Sequence, residues 1–184
     1  RPQTMAVHLV SEAQRLAYAD RDKYVADTDY QPLPGNGVST MVDKDYLRSR
    51  AGLINLGTSM HTAQPGNLGP IPAGIMPPSP ENGTTHMTIV DRDGNVVSMT
   101  TTVESGFGSY HMARGFMLNN QLTDFSAAPT DASGLPIANR VQSGKRPRSS
   151  MAPTLVFSKA ADGSRGDFVM ATGSPGGSAI IQYV

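Results

Sequence analysis

The sequence predicts a fold of class α+β, with helices in the first third of the chain and antiparallel strands after it. Apolar side chains recur at three- and four-residue spacing from about Thr4 to Lys23, which predicts an amphipathic helix. Two β-rich runs, residues 85–91 and 95–103, flank the loop Arg92-Asp93-Gly94, which is typical of a β-hairpin. A further strand is predicted from Asp167 to Ala171, before a glycine-rich turn.

The predicted first helix has an apolar stripe that we expect to face the core. The following region, Ala26 to Thr40, is rich in Asp, Pro and Gly and predicts a loop. Asp43 is placed to cap a shorter helix that runs through about Ala51. The residues of the stripe are Met5, Leu9, Ala13, Leu16 and Ala17.

Composition excludes several classes of function. The 184 residues suit a single domain, and 15 basic and 15 acidic residues give zero formal net charge. Nothing therefore favours binding to nucleic acid or to an anionic membrane surface. Cysteine is absent, which excludes disulfides and Cys-based metal sites in this chain. No apolar run approaches the roughly 20 residues of a membrane helix.

The predicted hairpin brings two threonines side by side. Asp91 lies opposite Asn95, so the numbers of paired residues add up to 186 and the partner of Thr84 is Thr102. A cross-strand threonine pair often does no more than stabilise a sheet. It also suits catalysis, because the α-amino group of an N-terminal threonine, with a pKa near 8, can activate its hydroxyl. That chemistry requires cleavage at Gly83–Thr84 by attack of the hydroxyl on the preceding carbonyl.

The segment that precedes Thr84 fits such a cleavage. Residues 66–83 are dense in Pro and Gly and without periodicity, which predicts an exposed, flexible connection. An ordinary interdomain linker has the same composition. The triplet Asn82-Gly83-Thr84 also matches a glycosylation site, but so short a pattern arises often by chance.

Three further motifs leave a structural and a functional interpretation open. Amides and a carboxylate from Asn119 to Asp124 follow a predicted strand at 115–118, which is usual in turns and would also suit an ammonium group. The run 145–150, KRPRSS, is a weak candidate for phosphate binding because the chain is not basic. The turn 172–178, TGSPGGS, precedes a predicted helix and could hold an anion, but it lacks the ending of a nucleotide P-loop.

Five sequence blocks together resemble the γ-glutamyltranspeptidase family. They are HLVSEAQRLAYADRDKYVADTDY, TTHMTIVDRDGNVVSMTTTVESGFGS, GFMLNNQLTDFS, GKRPRSSMAPTLV and ATGSPGGS. The resemblance implies an N-terminal nucleophile hydrolase, an αββα four-layer sandwich that this span does not complete. It also implies that residues 1–65 end the large subunit, that 66–83 are a flexible linker ending at the self-cleavage site, and that 84–184 begin the small, catalytic subunit.

The resemblance also implies a role for each motif. Thr84 would be the nucleophile after cleavage from Gly83, assisted by Thr102, with an oxyanion hole from the N–H groups of Gly176 and Gly177. The donor's ammonium group would be bound by Asp124 with Gln121 and Glu104, where some relatives have asparagine in place of Glu104. Its α-carboxylate would be bound by Ser149 and Ser150 with an arginine from outside this chain.

The implied reaction is γ-glutamyl transfer or hydrolysis on glutathione-like amides, with water, an amino acid or a peptide as acceptor. No metal or organic cofactor is implied, and the expected partners are the other parts of a processed heterodimer. The expected location is periplasmic or secreted. Because Arg1-Pro2 is not a natural translation start and SAIIQYV ends within an apolar run, we also expect that the chain is part of a longer protein and is neither active nor stable alone.

One departure from the family leaves the substrate open. Several bacterial members have a loop whose tyrosine closes over the site, whereas residues 126–144 contain no aromatic residue. This predicts an open or differently closed pocket, and keeps glutaryl-cephalosporin acylases and poly-γ-glutamate-processing enzymes as alternatives. Composition alone would also fit a non-catalytic, β-rich binding or structural fragment.

Overall fold

The computed structural model describes residues 3–71, 73–77 and 83–184, and in these ranges it contains both helices and antiparallel strands. The strands form three two-stranded antiparallel sheets, β1-β2, β3-β4 and β5-β6, so the predicted α+β class is confirmed. The helices are α1 Thr4–Tyr24, α2 Val38–Met41, α3 Lys44–Ala51 and α4 Ile180–Tyr183, and the strands are β1 Thr85–Val90, β2 Val96–Thr101, β3 Met112–Ala113, β4 Phe116–Met117, β5 Thr154–Lys159 and β6 Arg165–Thr172.

The chain divides into two compact units. The first, which we call the helical unit, is formed by residues between 1 and 79 together with 125–148. The second, the hairpin unit, is formed by residues between 80 and 124 together with 149–184. None of the helices in the described ranges has both the length and the apolar character needed to span a membrane.

Helix α1 begins and ends close to the predicted positions, but its buried face is not the predicted apolar stripe. Leu16 is buried, whereas Met5 is 46% exposed and Leu9 is 38% exposed. The buried residues at four-residue spacing are Glu12, Leu16, Asp20 and Tyr24. The predicted stripe was wrong because the polar side chains in this set, such as Glu12 and Asp20, have hydrogen-bond partners. These hydrogen bonds remove most of the free-energy cost of burying a polar group.

Asp20 shows how a buried carboxylate is satisfied in the helical unit. It accepts hydrogen bonds from Arg50 Nη2 at 3.1 Å, from the Tyr46 hydroxyl at 2.6 Å and from the Gly66 N–H at 2.6 Å. Burial and the hydrogen bond to Asp20 raise the pKa of Tyr46 above its ordinary value. Asp43 caps α3 as predicted, accepting from the N–H groups of Asp45 and Tyr46.

The KRPR run belongs to the helical unit and pairs with acidic residues near the end of α1. Arg146 Nη2 lies 2.6 Å from carboxylate oxygens of both Asp27 and Asp29. Arg148 Nη2 lies 2.9 Å from Asp22 Oδ1. The hydrogen bonds from Arg146 hold the pKa of Asp27 well below its usual range. The run therefore makes intramolecular ion pairs.

The segment 126–144 also packs in the helical unit. Ile137 and Ala138 are almost completely buried, and Ile137 forms an isolated parallel bridge with Gly74. In the predicted exposed connection, Ala73 and Met76 are buried as well. Residues 72 and 78–82 of that connection lie outside the described residues, as does Asn82 of the glycosylation triplet.

Two local predictions needed adjustment in detail. The predicted loop from Ala26 to Thr40 contains the start of α2, a single helical turn that begins at Val38. The strand predicted at 115–118 is the two-residue strand β4, which pairs with β3 through Met112↔Met117.

The first hairpin of the hairpin unit has the predicted register. Thr85 pairs with Thr101, His86 with Thr100, and Val90 with Val96. Gly94 has φ +85°, as the three-residue loop requires. Asp91 accepts hydrogen bonds from the backbone and side chain of Asn95, which lower the pKa of Asp91. The loop therefore fixes which residues of β1 and β2 face each other.

Candidate active site

The two threonines predicted to meet do so at one carbonyl oxygen. The Thr84 hydroxyl donates a hydrogen bond to the carbonyl oxygen of Gly83 at 2.6 Å, and the Thr102 hydroxyl donates to the same oxygen at 2.9 Å. Both residues directly continue the hairpin beyond the paired ends of β1 and β2. The register of the hairpin thus brings two hydroxyl groups to the peptide bond that precedes Thr84.

Glycine is required at position 83 for two reasons. Its φ is +84°, in the left-handed region that side-chain-bearing residues rarely adopt. A Cβ atom there would lie 2.4 Å from the carbonyl oxygen of Glu104. The backbone at the candidate cleavage bond therefore packs closely against the segment that follows β2.

Glu104 is buried and has an unusual backbone conformation. It is 7% exposed, and its φ is +69°, which is uncommon for a residue other than glycine. Its N–H donates to the Thr102 hydroxyl oxygen at 2.7 Å, and its carboxylate accepts a hydrogen bond from the Asn120 amide. Glu104 therefore orients Thr102 through its backbone, and it also lines the pocket described below.

Gln121 and Asp124 are brought together by one turn of 3-10 helix, Gln121–Asp124. The Gln121 amide donates a hydrogen bond to the Asp124 carboxylate. The turn is anchored by Asn120, whose side-chain oxygen accepts from the Ser105 N–H at 3.1 Å. Asn120 also donates to the Glu104 carboxylate, but it was not among the predicted site residues. In a run of amides, the sequence does not indicate which side chain points toward the site.

Ser149 and Ser150 are neighbours with different exposure. Ser150 is 9% exposed, whereas Ser149 is exposed and its hydroxyl accepts from the Met151 N–H at 3.2 Å. Arg146 and Arg148, close by in sequence, are engaged by acidic side chains of the helical unit.

The glycine-rich turn enters a 3-10 helix, Gly177–Ala179. Gly176 has φ +140° and Gly177 has φ +55°, so both have conformations that favour glycine. Gly177 is buried. The first N–H groups of a helical segment have no partner within it, so this turn presents donors suited to an anionic oxygen.

Most of the predicted site residues line one pocket in the hairpin unit. Thr102 and Gly176 are not in its lining; Thr102 lines a second cavity that also reaches Thr84. Met151 and Ile180 contribute apolar contacts that sequence patterns did not indicate. The lining residues are Gly83, Thr84, Glu104, Gln121, Asp124, Ser149, Ser150, Met151, Gly177 and Ile180.

The pocket is polar and carries two carboxylates, Glu104 and Asp124, which suits a ligand with a positive charge. Within the described part of the chain no three His, Asp or Glu side chains converge as a metal site would require. His8, near the start of α1, has its Nε2 2.8 Å from the Asn55 carbonyl oxygen.

Comparison with known proteins gives consistent matches. The family model described as Gamma-glutamyltranspeptidase matches residues 1–184. The glutathione hydrolase proenzyme of Escherichia coli strain K12 is 37% identical over 189 residues, covering 97% of this chain and 29% of the relative. That of Bacillus subtilis strain 168 is 39% identical over 186 residues, covering 96% and 29%. The capsule biosynthesis protein CapD proenzyme of Bacillus anthracis is 33% identical over 175 residues, covering 95% and 26%.

Among solved structures, a γ-glutamyltranspeptidase of Helicobacter pylori matches with a TM-score of 0.43 and 40% sequence identity, covering 54% of each chain. The present chain spans about 29% of the length of the first two curated relatives. Since the family model matches the whole chain, this chain belongs to the γ-glutamyltranspeptidase family.

Proposed function

We propose that the full-length protein cleaves itself between Gly83 and Thr84 and then hydrolyses or transfers γ-glutamyl groups of glutathione-like amides. The observation that carries the proposal is the convergence of the Thr84 and Thr102 hydroxyls on the Gly83 carbonyl oxygen. A cross-strand threonine pair that only stabilises a sheet does not require both hydroxyls to bond the same peptide carbonyl oxygen. The names of the relatives, glutathione hydrolase proenzymes, agree with a precursor that is processed.

In the self-cleavage step, the Thr84 hydroxyl oxygen attacks the Gly83 carbonyl carbon. The hydrogen bond from Thr102 polarises that carbonyl, and the Glu104 N–H holds the Thr102 hydroxyl in place. The C–N bond breaks as the nitrogen takes a proton, leaving an ester between Gly83 and the Thr84 oxygen. The proton that the nitrogen takes is the one the hydroxyl loses, so this step also frees the α-amino group of Thr84. Water then hydrolyses the ester, which releases the Gly83 carboxylate and restores the Thr84 hydroxyl.

In turnover, the free amine of Thr84 takes the proton of its own hydroxyl as the oxygen attacks the γ-carbonyl of the donor. The N–H groups of Gly176 and Gly177 stabilise the negative oxygen of the tetrahedral intermediate. The leaving amine departs with the proton, and a γ-glutamyl ester remains on Thr84. Water or an acceptor amine then attacks the ester carbonyl and regenerates the threonine.

Donor recognition follows from the charges around the pocket. Asp124 and Glu104 would bind the donor's ammonium group, and Gln121 holds the Asp124 carboxylate in position. The hydroxyls of Ser149 and Ser150 would bind the α-carboxylate. Because Arg146 and Arg148 are engaged by acidic residues, the main counter-charge for that carboxylate would come from another part of the full-length protein, which we propose is a processed heterodimer.

A second candidate substrate class is glutaryl or poly-γ-glutamyl amides. The segment 126–144 has no aromatic residue, unlike the bacterial family members whose loop closes over the site with a tyrosine, which favours a pocket open to a larger donor. The carboxylates of Glu104 and Asp124 argue for the γ-glutamyl donor, since a glutaryl group has no ammonium to pair with them.

The full-length protein allows a direct test of both levels of the proposal. Intact-mass analysis should give two pieces that meet at Gly83–Thr84, whereas a non-catalytic binding module would remain one chain. Purified protein should then hydrolyse a γ-glutamyl anilide faster than the matching glutaryl anilide. A cleaved protein that prefers the glutaryl donor would retain the mechanism and reverse the substrate. We further propose a periplasmic or secreted location, which fractionation of the source cells would test.

A further inference from the structure

His86, in β1, lies on the same face of the hairpin as Thr84, two residues further along the chain. Side chains two residues apart on a strand point to the same face. The register pairs His86 with Thr100, as it would pair Thr84 with Thr102. His86 Nδ1 lies 2.9 Å from the Thr100 hydroxyl oxygen. The imidazole is therefore held in the row next to the two threonines of the candidate active site.

The imidazole ring packs directly against Gly173 in the glycine-rich turn. A Cβ atom at Gly173 would lie 2.0 Å from Cε1, 2.3 Å from Nδ1 and 2.5 Å from Nε2 of His86. These distances are far below van der Waals contact, so any larger residue at 173 would displace the ring or the turn. Gly173 stands three residues before Gly176, at the start of the turn that presents the proposed oxyanion donors.

A hydrogen bond joins the same two segments beside this contact. The Ser98 hydroxyl donates to the Thr172 carbonyl oxygen at 3.2 Å, and the Ser98 oxygen lies 3.5 Å from His86 Nε2. His86 Nε2 also lies 3.3 Å from the Thr88 hydroxyl oxygen. Ser98 thus links β2 to Thr172, the residue that begins the glycine-rich turn, and the His86 ring lies beside this link.

We propose that His86 is a positioning residue that sets the distance between the glycine-rich turn and Thr84. The inference rests on the proposed function, in which the N–H groups of Gly176 and Gly177 stabilise the oxyanion. His86 acts through Gly173 and not on the substrate. If the N–H groups of Gly176 and Gly177 shift, they stabilise the transition state less, while binding of the substrate changes little. Loss of the ring should therefore lower kcat more than it changes KM.

A double-mutant cycle tests this coupling. The full-length protein is produced as two co-expressed chains that meet at Gly83–Thr84, so that no variant depends on self-cleavage. His86→Ala and Gly173→Ala should each lower kcat on a γ-glutamyl anilide by roughly 10- to 100-fold, with KM within about threefold of wild type. The double variant should be no slower than the slower single variant, because removing the ring makes room for the new Cβ.

Gly57→Ala is the matched control, since a Cβ at Gly57 would meet its nearest atom at an ordinary 3.5 Å. His86→Gln replaces His86→Ala in the cycle if the alanine variant does not fold, as judged by its melting temperature. Losses in kcat that multiply in the double variant, or an unchanged kcat in the folded His86 variant, would overturn the positioning role. A wild-type protein that does not turn over the donor would overturn the proposed function as well, so the two failures are distinguishable.

Discussion

Replacing Gly83 with alanine separates self-cleavage from turnover. Gly83 has φ +84°, and a Cβ atom there would lie 2.4 Å from the Glu104 carbonyl oxygen. An alanine in this backbone region costs about 1–2 kcal/mol. Real Cβ atoms keep at least about 3.0 Å from such an oxygen, so the backbone must also move by roughly 0.6 Å. That movement takes the Gly83 carbonyl away from the hydroxyls of Thr84 and Thr102.

We expect the rate of self-cleavage in Gly83→Ala to fall by about 100-fold, because a misplacement approaching 1 Å costs about that factor. Turnover should fall much less than self-cleavage, since the Gly83 carbonyl is no longer a reacting group once the bond is cut. The assay follows precursor conversion by intact mass, and separately measures kcat for Gly83→Ala protein co-expressed as two chains that begin and end at the cleavage bond.

Gly94→Ala is the control for backbone strain. Gly94 has φ +85°, nearly that of Gly83, but a Cβ there would meet no atom within 4 Å. Gly94→Ala should lose stability and still cleave at close to the wild-type rate. If the Gly83→Ala precursor matured as fast as wild type, the close packing against Glu104 would have no part in the reaction, and the argument from this geometry would be refuted.

Two further predictions concern charge. Asp124→Ala should raise KM for a γ-glutamyl donor by roughly 10- to 100-fold, which is the typical contribution of a hydrogen bond to a charged group, and should leave KM for a glutaryl donor unchanged. The control is Asp93→Ala, at an exposed aspartate. Equal increases in KM for both donors would contradict the role of Asp124. Arg146 lowers the pKa of Asp27 below its ordinary 3.8, so the stability from this pair is fully present at pH values well above 3.8 and is lost as the pH falls toward the lowered pKa. Arg146→Met should therefore lower the urea midpoint at pH 7, with a difference from wild type that shrinks between about pH 5 and pH 2, whereas Arg92→Met should do neither; a pH-independent difference would contradict the ion pair's contribution.

The sequence predicted those features whose causes are local. The loop Arg92-Asp93-Gly94 sets the register of β1 and β2, and that register alone brings Thr84 near Thr102. The cap at Asp43 and the bounds of α1 follow from side chains within a few residues of each helix end. These elements agree with the structure because a few neighbouring residues determine them.

Other features depend on pairs that are distant in sequence, and no local pattern indicates them. Arg146 pairs with Asp27 across 119 residues, so its charge gave no sign of a structural role. The buried face of α1 was predicted wrongly because the buried Glu12 carboxylate accepts hydrogen bonds from Ser59 and Met60, which lie 47 and 48 residues away. The contact between His86 and Gly173 likewise appears only when two strands pack together.

The roles of the site residues rest partly on the resemblance to the family and partly on the observed geometry. Asp124 was predicted to bind the ammonium group with Gln121 and Glu104, and one turn holds Asp124 and Gln121 in contact. The sequence did not indicate the positive φ of Glu104 or the hydrogen bond from its N–H to Thr102. Backbone conformations of this kind depend on the packing around the residue, so they could be found only in three dimensions.

In the proposed mechanism, Thr84 carries the γ-glutamyl group as an ester. Rapid acid quenching of the cleaved full-length protein with a γ-glutamyl donor, followed by proteolysis and mass spectrometry, would locate that group. We predict one added γ-glutamyl mass on the peptide that begins at Thr84, absent from a two-chain Thr84→Ala protein and retained in a Thr101→Ala control, whose threonine is exposed on β2. A γ-glutamyl group found on any other residue, or full turnover by the Thr84→Ala protein, would contradict the account.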